Sequence, residues 1–145
     1  MSFDWANSVS GRIKWRLRDI VLSRPPPPAP YAVGSPVAVA GLFRTASGIG
    51  QSARACANAL EQFGIDVTRI DLSTAFHQAD LPEDSRLTHE VGDCRTVIIH
   101  LNAPEFERAA FLLRSWRGTG RRTIGYWAWE LPVTPHDWAP ATRWL

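Results

Sequence analysis

Two glycines follow a short apolar run and precede a helix-forming segment, in the stretch from Ser47 to Ser52. A glycine lets backbone approach a ligand closely, and the free N–H groups at the start of a helix attract phosphate. Gly48, Gly50 and Gln51 are therefore candidate contacts to a phosphorylated ligand. A plain glycine-rich turn is the alternative interpretation of the same residues.

The spacing from Gly48 through Gly50 to Ala53 also matches the fingerprint of dinucleotide-binding proteins. The acid that contacts ribose would then be Asp66 or Asp71. In that fingerprint the first glycine normally follows its strand directly, whereas four residues separate the apolar run from Gly48 here. The match is therefore weak evidence for a dinucleotide.

Aromatic and acidic side chains crowd the end of a later apolar strand, where Trp127, Trp129 and Glu130 follow Tyr126. On an extended strand the two tryptophans would lie on the same side, and both could stack on sugar rings. Packing in the core or against another domain is the alternative for them. Glu130 could bind a sugar hydroxyl or cap the neighbouring turn.

A histidine and an asparagine lie where another strand is expected to end. His100 closes a buried apolar run, so it is either a histidine at the edge of the core or a residue of a ligand cleft. Asn102 is either a helix cap or a ligand contact. Cys56 and Cys94 have no metal-binding spacing, and we predict no metal site.

The hydrophobic pattern alternates strand and helix, which predicts a Rossmann-like parallel sheet with right-handed crossovers. Helices are expected after the first, third and fourth strands, and Gly64 is expected to cap the first of them. Residues 73–95 are polar and poorly periodic, so they are predicted to form a long loop with at most a short helix or an edge strand. The strands are predicted at residues 36–43, 66–72, 95–101 and 121–128.

Two segments precede this domain. Residues 1–24 predict a basic amphipathic helix, which could pack on its own domain or lie on an anionic membrane surface. Residues 25–35 are rich in proline and predict a stiff linker. The sheet domain itself is expected to occupy residues 36–145.

Composition excludes several classes of protein. The 145 residues carry a net charge of +2, of which the first 30 contribute +3 and the rest −1, so the body offers no basic nucleic-acid surface. No apolar run is long enough to span a membrane, and no secretory signal is visible. We expect a cytoplasmic protein, free or peripheral on the inner face of the membrane.

Two stretches resemble the N-terminal domain of family 4 glycosyltransferases, which have the two-domain GT-B fold. They are Val39 to Arg54, with its glycine loop, and Ile99 to Pro132, with its aromatic and acidic string. The resemblance covers about residues 36–145. It implies the acceptor-side half of a retaining transferase that uses a nucleotide-sugar and needs no other cofactor.

The resemblance also implies partners. The donor would be a nucleotide-sugar, the acceptor a glycan or a lipid-linked sugar, and the second wall of the cleft a C-terminal domain that carries the family's paired glutamates. Those glutamates are not found in this sequence, so no catalytic residue is assigned, and we expect the chain to be inactive alone. It should bind a C-terminal half or self-associate. The alternatives are a small nucleotide-binding Rossmann protein and a non-catalytic sugar-binding or interaction module.

Overall fold

A computed structural model describes residues 36–113, 121–129 and 132–145. They form a Rossmann-like α/β fold with one parallel five-stranded sheet. The predicted N-terminal helix and the proline-rich linker lie outside the described residues. The strands are β1 (Val37–Gly41), β2 (Val67–Asp71), β3 (Leu87–Thr88), β4 (Thr96–His100) and β5 (Arg122–Tyr126).

Among the described residues, two α-helices and one 3-10 helix connect or follow these strands. They are α1 (Gly48–Gln62), α2 (Ala103–Leu112) and the 3-10 helix (His136–Trp144). Gly64, at φ +75°, follows the last turn of α1 as predicted. The terminal helix is 3-10, and it contains Pro140, which has no N–H to donate to an α-helical bond.

The sheet order is β3-β2-β1-β4-β5, so successive strands are added on one side of β1 up to β3 and on its other side from β4 onwards. The expected long segment after β2 contains β3, a two-residue edge strand. The strand predicted over residues 121–128 is shorter than expected, since β5 ends at Tyr126. Trp127 and Trp129 therefore do not share one side of an extended strand, and that prediction is wrong.

The two faces of the sheet carry separate cores. On the first face, α1 packs over β1, β2 and β4, and Arg69 of β2 lies beneath its last turns. The Arg69 guanidinium is buried and bonds Glu61 at 2.6 Å and Asn58 at 2.7 Å, which holds the pKa of Glu61 below its usual range. The apolar residues of this face are Val39, Phe43, Ala53 and Ala57.

On the second face, α2 and the 3-10 helix pack over β1, β4 and β5. Phe106 is fully buried there, and Trp138 and Ala141 bring the 3-10 helix onto the same cluster. Within the described residues, no helix has the length and apolar content needed to cross a membrane.

Candidate functional site

The carboxyl ends of four adjacent strands bring one row of residues together. Gly41 pairs in register with Asp71 on one side and with His100 on the other, and His100 pairs with Tyr126. Residues in register point to the same face of a sheet, so all four lie on the face that α1 covers. Ala53 of α1 packs directly on Gly41, because a Cβ at Gly41 would lie 2.8 Å from the Ala53 Cβ.

This row divides into two halves on either side of Gly41. The β1–β2 half comprises the end of β2 and the loops of residues 42–47 and 72–81. The β1–β4 half comprises the ends of β4 and β5 and the first turn and a half of α1. Ligands of open α/β sheets bind outside the carboxyl ends of the strands where the strand order reverses, which here is the β1–β4 half.

The two glycines of the loop differ in what surrounds them. Ser47 caps α1 by accepting a hydrogen bond from Gly50 N at 3.3 Å. A Cβ at Gly50 would lie 2.6 Å from the carbonyl oxygens of Leu42 and Thr45, so this glycine is required by the close approach of its own loop. A Cβ at Gly48 would meet nothing within 4 Å. Gly48 therefore leaves the start of α1 open.

The β1–β2 half is closed by hydrogen bonds between its own loops. The Arg44 carbonyl accepts from the backbone N–H groups of Asp80 and Leu81, each at 2.8 Å. Thr45 Oγ1 donates to the carbonyl oxygen of Gln78. From α1, Arg54 donates to two carbonyl oxygens of the first loop, at 2.7 and 2.9 Å.

Asp71 lies inside this closed half. Its Oδ1 accepts from the backbone N–H of Ser73 at 3.0 Å and from the Ser73 hydroxyl at 2.6 Å. The Ser73 hydroxyl in turn accepts from Arg44 N at 2.9 Å. Asp71 Oδ2 is buried and has no hydrogen-bond partner within the described part of the chain. Asp66, the other predicted ribose partner, is exposed and lies before β2 rather than at its carboxyl end.

The β1–β4 half is built around His100. The side chain is 3% exposed, and its Nδ1 lies 3.1 Å from Ser52 Oγ. Its ring stacks on Tyr126, with centroids 4.6 Å apart. Burial lowers the pKa of His100 to about 4, so the imidazole is neutral at physiological pH. Its Nε2 is buried and finds no partner among the described residues.

Asn102 stands at the N-cap position of α2, but its side chain makes no cap bond. Instead Asn102 Oδ1 accepts from Ala128 N at 2.9 Å. The prediction that its side chain caps the helix is wrong, because the chain leaving β5 supplies a competing donor. Asn102 therefore fixes the segment that follows Tyr126.

The tryptophans after β5 have different environments. Trp127 is half-buried and packs edge-on against Phe106 and Trp138. Trp129 is 40% exposed, and its indole N–H donates to Val133 O at 2.9 Å. Trp138 is only 5% exposed. Of these three, Trp129 presents the most accessible ring.

The structure thus brings Gly48, Gly50, Gln51 and His100 to one edge of the sheet. Gln51 is exposed in the first turn of α1. Glu130 lies outside the described residues. The role of each of these residues in binding a ligand stays a prediction.

Sequence reasoning missed two residues of this half, Ser52 and Tyr126. Ser52 carried a usable signal, since it follows Gly48 by four residues and therefore shares its helical face. Tyr126 was visible only as one of the aromatic residues at a strand end, because its contact with His100 depends on the register of β4 with β5.

In the described part of the chain, no three His, Cys, Asp or Glu side chains are grouped to hold a metal ion. The chain was compared with models of known families, with curated proteins and with solved structures, and none of them matches.

Proposed function

We propose that residues 36–145 form the acceptor-side domain of a retaining, nucleotide-sugar-dependent glycosyltransferase of the GT-B type. The fold is consistent with this, because a parallel sheet of this order offers a ligand crevice where the connections after β1 and β4 leave on opposite faces. The start of α1 lies at the same edge, with an open Gly48. The resemblance of the glycine loop and of the aromatic string supports the choice of family.

One observation carries the proposal, namely the unpartnered Nε2 of the buried His100. A buried polar atom without a partner costs about 1–3 kcal/mol. Native proteins leave few such atoms, and those that persist often mark a ligand or a bound water. His100 lies at the strand-order reversal, where that ligand is expected.

Accessible aromatic rings near this edge support a sugar ligand. Tyr126 is 47% exposed although one face of its ring contacts His100, and Trp129 is 40% exposed. Exposed aromatic faces provide apolar surface for the C–H groups of a sugar ring, while their polar atoms remain available. On this proposal Tyr126 and Trp129 would contact the acceptor.

Transfer requires groups on both sides of the sugar that is moved. We therefore expect residues 36–145 to bind sugar or nucleotide-sugar without turning it over. A second α/β domain would complete the cleft, and it would be the partner of this chain.

The proposal is tested by nuclear magnetic resonance titration of the ¹⁵N-labelled chain with methyl glycosides, UDP-glucose and NADH. We expect the glycosides or UDP-glucose to shift the amide signals of Gly48, Ser52, His100 and Tyr126. A His100→Asn variant should weaken binding about tenfold, which corresponds to about 1.4 kcal/mol. His136→Asn is the matched control, because His136 is exposed on the 3-10 helix.

A dinucleotide is the second candidate ligand, and Asp71 favours it. Its Oδ2 is unpartnered at the end of β2, the position from which dinucleotide-binding proteins contact ribose. Against it, the loop after β1 bonds Ser73 and closes over this carboxylate. Binding of NADH without binding of any sugar probe would replace the transferase proposal with this one.

A further inference from the structure

Which ring nitrogen of His100 carries a proton depends on whether the Ser52 hydroxyl donates to Nδ1 or accepts from it. The Ser52 hydroxyl has one proton to donate, and within the described residues its one hydrogen-bond partner is His100 Nδ1, at 3.1 Å. If the hydroxyl donates to Nδ1, that nitrogen must be unprotonated. A neutral imidazole then carries its single proton on Nε2.

In that case the unpartnered Nε2 of His100 is an N–H donor rather than an acceptor. It is buried, and His100 is the last residue of β4. Gly48 lies four residues before Ser52, on the same helical face, at the start of α1. The first N–H groups of a helix have no partner within the helix and carry partial positive charge.

Two independent elements therefore supply donors to the β1–β4 half. One is the side chain at the end of β4, and the other is the first turn of α1, where a side chain at Gly48 would meet nothing within 4 Å. A group made only of acceptor oxygens satisfies such a set, and a phosphate is the commonest group of that kind at a helix N-terminus.

We propose that Ser52 fixes His100 as an Nε2–H donor, and that this donor binds a phosphate oxygen of the ligand. The inference rests on the proposed function only in placing the ligand at this edge. Ser52 is a positioning residue, because it acts through the ring of His100. The phosphate would belong to a diphosphate, either of a nucleotide-sugar or of a lipid-linked acceptor.

The first test needs no ligand. In the chain labelled with ¹⁵N-histidine, the ring nitrogen shifts report which nitrogen is protonated. We expect wild-type His100 to be the Nε2–H form, Ser52→Ala to give a mixture of both forms, and Ser52→Thr to restore the single form. A wild-type His100 protonated on Nδ1 would overturn the inference and leave the proposed function standing.

The second test uses inorganic pyrophosphate, UDP, uridine and a water-soluble prenyl pyrophosphate as probes, with affinity measured by calorimetry. We expect pyrophosphate and UDP to bind and uridine not to bind. Ser52→Ala and His100→Asn should each weaken pyrophosphate about tenfold, while Ser52→Thr should bind as the wild type does. Ser85→Ala is the control, because Ser85 is exposed in a turn away from this edge.

The probes also separate the two sources of the phosphate. Tighter binding of UDP than of the prenyl pyrophosphate assigns the site to the donor, and the reverse order assigns it to the acceptor. Pyrophosphate binding that is equal in the wild type and in Ser52→Ala, or absent from both, would overturn the inference. Failure of the glycosides and UDP-glucose to bind would instead count against the proposed function.

Discussion

Each half of the carboxyl edge contains a buried polar side chain, but the two side chains have different neighbours. In the β1–β2 half, Asp71 is locked by Ser73, and the loops on either side bond each other. In the β1–β4 half, one bond from Ser52 orients His100, and the far side of its ring has no described partner. Each half keeps one buried atom without a described partner, Asp71 Oδ2 in the first and His100 Nε2 in the second, but in the first half two loops bond each other beside that atom.

The difference follows from where the strand order reverses, which is between β1 and β4. Crossovers from β1 to β2 bring two successive loops side by side, and their backbone groups can pair. Between β1 and β4 the connections that follow the two strands run to opposite faces of the sheet, so the loops after these strands do not lie side by side. Chain topology therefore decides which of the two polar residues is held by neighbouring loops.

The strongest test of the closed half is a pair of glycine substitutions in α1. We expect Gly50→Ala to lower the free energy of unfolding by about 2–4 kcal/mol, because the new Cβ would lie 2.6 Å from two backbone carbonyl oxygens. Gly48→Ala should change it by no more than about 1 kcal/mol, since that site is open. Urea denaturation of both variants measures the difference, and equal effects would show that the loop does not pack as described.

The burial of His100 in the β1–β4 half predicts a specific dependence of stability on pH. The pKa of His100 is lowered by burial from 6.5 to about 4, so between these values the unfolded chain binds a proton that the folded chain does not. Stability should therefore fall as the pH is lowered from 7 to 5, by up to about 2 kcal/mol.

The contribution of His100 is isolated by comparing variants at pH 7 and pH 5. His100→Asn should lose less stability on acidification than the wild type, and His136→Asn should behave like the wild type. A loss of the same size in His100→Asn would mean that other groups cause the effect.

Removing the hydroxyl that joins the two loops should have a smaller effect. Ser73→Ala deletes the acceptor of Arg44 N and one donor to Asp71, and we expect a loss of about 1–2 kcal/mol in the free energy of unfolding. Binding of pyrophosphate should be unchanged, because the substitution lies in the closed half. A tenfold loss of pyrophosphate affinity would show that the two halves act as one site.

The smallest expected effect is at Asn102. Asn102→Ala removes the acceptor of Ala128 N at an exposed position and should cost about 0.5–1 kcal/mol. Its signature is local, namely faster amide exchange at Ala128 with unchanged exchange in β1. Slow exchange at Ala128 in the variant would show that Trp127 alone anchors this segment.

The strand and helix pattern was predictable because each element buries one periodic apolar set. The apolar runs before Gly41 and His100 predicted β1 and β4 to within a few residues, and Gly64 marked the end of α1. The sequence also placed the glycine loop and His100 at strand ends. These features depend on neighbours along the chain, so local patterns are enough to find them.

Three features required the tertiary structure. The contact of Ser52 with His100 depends on how α1 lies across the sheet, and the stacking of Tyr126 depends on strand register. The early end of β5 follows from the packing of Trp127 into the second core and from the bond of Ala128 N to Asn102. Each joins residues that are more than ten positions apart.

The sequence by itself therefore determined the elements and the polar residues at their ends. Only the tertiary structure decided that Asp71 is held by its own loops and that His100 keeps an unpartnered nitrogen. The physical reason is that a polar group is satisfied or left free by whatever the fold brings beside it. That neighbour is set by the order of the strands, which local sequence does not encode.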